Sequence, residues 1–198
     1  MKPNQKSDEE IIICPKTENV SFDEIYHIIH TAHQENRNKG IIVNSSVNNG
    51  EDLRKHIRGE NAVWYIAKDG SKVIGTVSLC KIKENRWFCR EKEIAYLQHL
   101  AVLPEYRGKK IAYRFCREAE EYAKANNLPA IELVVVEENP AINLYLKLNY
   151  ECVDYIYKKD LKQFSVRMIK WIGKQPYSSV MRKVRYYCRR TRLRLMHQ

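Results

Sequence analysis

A basic, glycine-containing loop between a strand and a helix carries the clearest chemistry in this 198-residue sequence. The run Ile94-Ala95-Tyr96-Leu97-Gln98-His99-Leu100-Ala101-Val102 reads as a strand. Pro104 stops it, because proline cannot donate to a ladder and biases its neighbour away from helix. The loop then runs through Arg107, Gly108, Lys109 and Lys110 into a helix that opens with Ile111 and Ala112. First-turn N–H groups have no intrahelical partners and lie at the positive end of the helix dipole, so this junction attracts phosphate. A second chemical group follows downstream, where Asn139-Pro140 opens a helix that carries Tyr145. A phenol, with an ordinary pKa of about 10, carries its proton at neutral pH.

The elements that must position these residues are legible in the spacing. Ile111, Phe115, Ala119, Tyr122 and Ala123 recur at helical intervals and predict one apolar stripe packed on a sheet. Ile131-Glu132-Leu133-Val134-Val135-Val136 is a β-branched run suited to a buried parallel strand. Asn139 predicts a side-chain cap, with Pro140 at the first helical position where its missing N–H costs nothing. Upstream, Ile11 to Cys14 reads as a first strand. Ser21 with Glu24 forms a capping box for a helix with stripe Ile25, Ile28, Ile29 and Ala32. Residues 36–49 read as loop apart from Ile41-Ile42-Val43, and a short helix is expected from Glu51 to Arg58. Asp69-Gly70 between two alternating runs predicts a hairpin. Tyr150 to Lys158 is a further strand, and Phe164 to Ile172 is either its hairpin partner or an amphipathic helix.

These motifs resemble the GCN5-related N-acetyltransferases, the GNAT family, over roughly residues 10 to 172. The family's strand ending Leu-Ala-Val-x-Pro and its Arg/Gln-x-x-Gly-x-Gly/Ala loop are similar to Leu100-Ala101-Val102-Leu103-Pro104 and Arg107-x-x-Lys110-x-Ala112, with Lys110 in place of the central glycine. The family's Asn-x-x-Ala-x-x-Leu-Tyr-x-Lys-x-Gly-Phe motif is similar to the segment from Asn139 to Tyr150, one residue shorter between Asn139 and Tyr145. Asn149 there replaces the glycine, a substitution that the left-handed conformation tolerates.

The resemblance implies an α/β fold with a mixed, mostly antiparallel sheet flanked by helices, whose central parallel strands splay. It implies acetyl-CoA as co-substrate, held by Leu100, Ala101, Val102, Arg107, Gly108, Lys109, Lys110, Ile111, Ala112, Asn139 and Tyr145, and no metal. Tyr145 would protonate the leaving thiolate, although packing on the helix's core face is its other reading. The usual base position, six residues before Val102, holds Tyr96, and three routes stay open: a water relay past Tyr96 and Gln98, Glu93 turned inward by a bulge, or His99, which alternation puts on the opposite face. The implied activity is direct acetyl transfer to a primary amine of a small molecule, such as an amino sugar, or of a peptide. The acceptor site would lie near Tyr26, His30, His33 and the Asn-rich loop. The rival reading is a non-catalytic acyl-CoA-binding or nucleic-acid-binding protein on the same scaffold.

Composition bounds these expectations. A 44% hydrophobic content can fill one core, expected over residues 1–172. The polar opening residues lack a secretory signal pattern, and six cysteines without a Cys-x-x-Cys pair read as reduced thiols, so a cytoplasmic protein is expected. His27, His30 and His33 recur three apart and read as surface histidines rather than metal ligands. The net charge of +11 sits mainly in the tail: eight of the 35 basic residues and none of the 24 acidic ones lie from Gly173 onward. Residues 173–198 therefore read as a basic amphipathic extension. Tyr177, Val180, Met181, Val184, Tyr187, Cys188 and Leu195 recur at helical spacing in it. Such a helix suits the inner face of a membrane, packing on the domain or in a homodimer, or a nucleic acid.

Overall fold

The computed structural model describes residues 11–43, 47–57, 60–86, 89–173 and 178–197. The strands are β1 (Ile12–Pro15), β2 (Glu60–Asp69), β3 (Lys72–Arg86), β4 (Cys89–Val102), β5 (Ala130–Val136), β6 (Glu151–Lys158) and β7 (Gln163–Trp171). They form one sheet in the order β1-β2-β3-β4-β5-β7-β6. Every pairing is antiparallel except β4 with β5. That parallel pair is in register only at Ala95↔Ile131 and Tyr96↔Glu132. Beyond those residues the two strands diverge, and the gap between them is the structural origin of the cleft described below.

The helices are α1 (Phe22–Ala32), α2 (Gln34–Asn38), α3 (Gly50–Lys55), α4 (Ile111–Ala125), α5 (Ala141–Lys147) and α6 (Ser179–Met196). Ser21 caps α1 by accepting the Glu24 N–H at 3.1 Å, and Asn49 caps α3 through the Asp52 N–H at 2.8 Å. Ile25, Ile28 and Ile29 of α1 and Ile111, Phe115, Ala119 and Ala123 of α4 are buried in one core with Ile74, Leu79, Leu97 and Leu133 of the sheet. Packing of these apolar faces, rather than intrinsic propensity, supplies most of such helices' stability. Gly75 is required by close approach, since a Cβ there would meet the Ala101 carbonyl oxygen at 2.9 Å and Phe115 at 3.1 Å.

The structure departs from the sequence-based expectations at three places. Part of the loop expected over residues 36–49 is helical: α2 is held by Gln34 Nε2 donating to Asn38 Oδ1 at 2.9 Å and Arg37 donating to Gln34 at 2.8 Å. The 164–172 segment resolves as strand β7, paired on both sides, which removes the helical alternative. Finally, β4 carries a bulge. Thr76 opposes Ala101 and Ser78 opposes Gln98, leaving one extra residue in β4, and His99 there takes φ 55°. Asn139 caps α5 as expected, its Oδ1 accepting the Ala141 N–H at 3.0 Å, and Pro140 between them already has helical backbone angles, φ −60° and ψ −16°.

Candidate active site

The gap between β4 and β5 opens into a cleft of about 690 Å³, walled by α1–α3 on one side and the start of α5 on the other. Its long wall is β4 itself: Tyr96, Gln98, Leu100, Ala101 and Val102 all face it. Because the β4–β5 ladder ends at Tyr96↔Glu132, the backbone of Leu100 to Val102 is not paired with β5 and stands open to a ligand. Asn139 and Tyr145 approach from the other side, and Arg107 and Ala112 from the loop and from α4. Most of the residues expected at the site are therefore brought to one cleft. Gly108, Lys109, Lys110 and Ile111 do not line it. Gly108 to Lys110 form its exposed rim, and the Ile111 side chain is packed into the core. Glu93 is exposed on β4 opposite Lys83, before the strands part; a second register shift, between Cys89 and Lys92, lies beside it, yet Glu93 does not line the cleft.

At the rim, the first turn of α4 has neither a side-chain cap nor an acidic residue. Its amide N–H groups therefore keep their positive field, reinforced by Lys109 and Lys110, a donor set that fits a pyrophosphate. Gly108 has φ 82° and Lys110 φ 59°, so the loop turns through two left-handed residues, only one of them glycine. Arg107 is engaged within the protein: its guanidinium donates to Glu35 and to the Ala32 carbonyl, both at 2.7 Å, tying the loop to the end of α1.

Tyr145 is buried against Tyr150, with ring centroids 5.6 Å apart. Burial, with a smaller contribution from Cys116, pushes its phenol well above the usual value, so it holds its proton at any working pH. His99 is the residue that sequence alternation misplaced. The bulge turns it to the cleft, where its Nδ1 lies 3.0 Å from Ser78 Oγ and its ring stacks on Trp64 at 5.2 Å. Burial first, then the neighbouring His33 and His56, depress its pKa to about 4. His33, at the end of α1, is likewise lowered to about 4 by burial and by Arg37 and Arg107. Both imidazoles are neutral at pH 7 and can accept hydrogen bonds, but a pKa of about 4 makes them weak proton acceptors there.

Sequence reasoning did not anticipate His56, Lys158 or Arg167 at the cleft. Arg167 of β7 forms a buried ion pair with Glu132 of β5, beside Tyr96. Glu132 interrupts a β-branched run and was the available signal: a buried carboxylate requires a buried cation. Among the described residues, no group of three or more His, Cys, Asp or Glu side chains could hold a metal ion.

Three comparisons bear on this geometry. The sequence model of the acetyltransferase (GNAT) family matches residues 22–150. A curated acetyltransferase of Pectobacterium atrosepticum is 29% identical over 106 residues, covering 53% of this chain and 69% of that protein. Among solved structures, NAA60 of Arabidopsis thaliana in complex with acetyl-CoA has a TM-score of 0.64 at 20% identity, over 83% of this chain and 100% of that one. The ribosomal-protein-S18-alanine N-acetyltransferase of Escherichia coli has a TM-score of 0.59 at 16% identity, over 85% of this chain and 100% of that one. At these identities the structural likeness establishes a shared fold.

Proposed function

The chain belongs to the GNAT acetyltransferase family, and from that premise we propose that it moves an acetyl group from acetyl-CoA directly to a primary amine of a small molecule or peptide. The observation that carries this reading is one continuous cleft, running from the uncapped start of α4 along the unpaired Leu100–Val102 backbone to the buried Tyr145. The cleft fits the co-substrate in both halves, phosphate at a basic helix start and an extended amide-bearing arm along a strand with free backbone groups. Bound there, acetyl-CoA would supply the thioester.

The protein's own contributions follow from position. The α4 amides and Lys109 would hold the pyrophosphate, with the loop pinned by Arg107. The backbone N–H groups near Ala101 would polarise the reacting carbonyl. Tyr145, kept protonated by burial, would deliver its proton to the leaving sulfur. On the acceptor side, the lining carboxylate Glu35 is occupied by Arg107 and the buried imidazole of His99, at about 4, is a weak base, so deprotonation of the amine falls to water ordered by Tyr96 and Gln98. Residues 1–172 would constitute this acetyltransferase unit, with 173–198 as an extension.

Thiol release from acetyl-CoA across a panel of amino sugars, amino acids and peptides tests the reading. Turnover with one acceptor should fall by about 100-fold or more in kcat for Tyr145→Phe, the magnitude of a lost general acid. Acetyl-CoA should also raise the melting temperature of the wild-type protein. A shift without turnover for any amine would favour the non-catalytic reading, and no shift at all would remove the cofactor assignment.

A further inference from the structure

The tail helix α6 packs on β6, and it does so with four of its arginines turned to carboxylates of the domain. Arg182 is fully buried, paired with Glu151 at 2.8 Å and lying over the Trp171 ring. Arg189 meets Asp154, and Arg190 and Arg194 both meet Glu137, each at 2.8 Å. Tyr186 fills the remaining space edge-on to Tyr155. The apolar residues are left outside: Val180 is 67% exposed, Val184 56%, Tyr187 58% and Leu195 70%. Their spacing of four, three and eight residues sets them in one stripe opposite Arg182, Tyr186 and Arg189. Lys183 borders the stripe on one side, and Arg185 and Arg192 on the other.

We propose that α6 lies along an anionic bilayer surface, with the Val180–Leu195 stripe in the headgroup boundary and Lys183, Arg185 and Arg192 on acidic headgroups. An outward apolar stripe bordered by cations is the arrangement that interfacial helices use. A groove of about 590 Å³ between α6 and β6, lined by Arg185, Arg189 and Arg192 together with Asp154, which Arg189 neutralises at 2.8 Å, runs beside the stripe and is large enough to take a phosphate-bearing headgroup. Charge excludes a second copy as the occupant. From Gly173 onward there is no acidic residue, and the nearby Glu137, Glu151 and Asp154 are already engaged, so two α6 helices brought together would set cation against cation. No helix among the described residues is long and apolar enough to cross a membrane, so the contact is a surface one.

Flotation of the full chain with phosphatidylcholine vesicles, with and without one-third phosphatidylserine, tests this. Association is expected with the anionic vesicles and should weaken as salt is raised. Lys183→Gln with Arg192→Gln should cut partitioning by about 30-fold, roughly fivefold per charge. Tyr187→Glu with Leu195→Glu should abolish it. All four side chains are exposed, so unchanged melting temperatures verify that the variants fold. Equal flotation on neutral vesicles, no flotation, displacement by millimolar inorganic phosphate alone, or a solution dimer dissociated by the Tyr187→Glu pair would each overturn the proposal. Because the readout is lipid binding without acetyl-CoA, its failure would leave the acetyltransferase reading standing.

Discussion

The start of α4 and the body of α6 are the two most basic regions of the molecule, and they use their cations in opposite ways. At α4, Lys109 and Lys110 are exposed beside uncapped amides, and no carboxylate in the first helical turn answers them. In α6, four arginines are turned onto Glu137, Glu151 and Asp154, and the side facing water carries an apolar stripe bordered by Lys183, Arg185 and Arg192. Glu137 shows how tightly the second set is held: although burial works against it, hydrogen bonds from Tyr155, Arg194 and Arg190 keep its carboxyl below the usual range. The difference is that a charge left without a carboxylate partner is available to a ligand, even where, as for Lys109 over the Tyr106 ring at 5.4 Å, it rests on an aromatic face, whereas a carboxylate-paired one is a fastening. Net charge alone does not distinguish them.

Breaking one fastening should separate the two regions most strongly. Arg182→Met keeps the volume but strands Glu151 against the helix. A stability loss of about 3 kcal/mol by urea unfolding is expected, at the low end for a broken buried pair because Glu151 retains 24% side-chain exposure. Acetyl-CoA affinity measured at a denaturant-free temperature well below the transition should not change. A parallel loss of affinity would show that the tail and the cleft act as one unit, and the contrast drawn above would fail.

The fold was legible wherever a local rule settled it. Capping residues, the Asp69-Gly70 hairpin, the β-branched β5 run and the α4 stripe each depend on neighbours within one turn or one strand. The left-handed Asn149, φ 63°, follows from the same local tolerance. What escaped was decided at a distance. The bulge at His99 arises between two strands, so alternation along β4 alone put that ring on the wrong face. The inward arginines of α6 were hidden for the same reason, since Glu137, Glu151 and Asp154 are aligned only when β5, β6 and β7 come together. A helical wheel shows which residues share a face but not which face a sheet will take.

The cleft can be separated from the tail by pH. His33 and His99 have folded-state pKa values of about 4 against an ordinary value of 6.5. The unfolded chain therefore binds these protons first, so the stability linked to these neutral rings is complete above pH 6.5 and lost as pH falls from 6.5 toward 4. Each contributes a slope of about 1.4 kcal/mol per pH unit in that window. Urea midpoints should decline accordingly. His99→Asn, which tolerates the same left-handed backbone, should remove about half of the slope due to the two rings. The rate of acetyl transfer should show no inflection near pH 6.5, because neither imidazole titrates there. An inflection at that pH which vanishes in His99→Asn would mean that the ring is solvated in the working enzyme.

The smallest expected effect bears most closely on how the α4 cations are used. Lys110 occupies φ 59°, where a Cβ costs roughly 1 kcal/mol, and its side chain stands outside the cleft. Lys110→Gly should raise stability by about 0.5–1 kcal/mol, the relief of strain partly offset by the greater freedom of glycine in the unfolded chain. If the backbone amides form the phosphate cradle, acetyl-CoA affinity should stay within about twofold, because glycine keeps the loop's conformation while removing one charge at the rim. A loss of tenfold or more, shrinking as salt is added, would mean instead that the lysine side chain grips a phosphate. Lys110 would then be a ligand that accepts backbone strain to reach its place, as the contrast between α4 cations without a carboxylate and the fastened ones of α6 would lead one to expect.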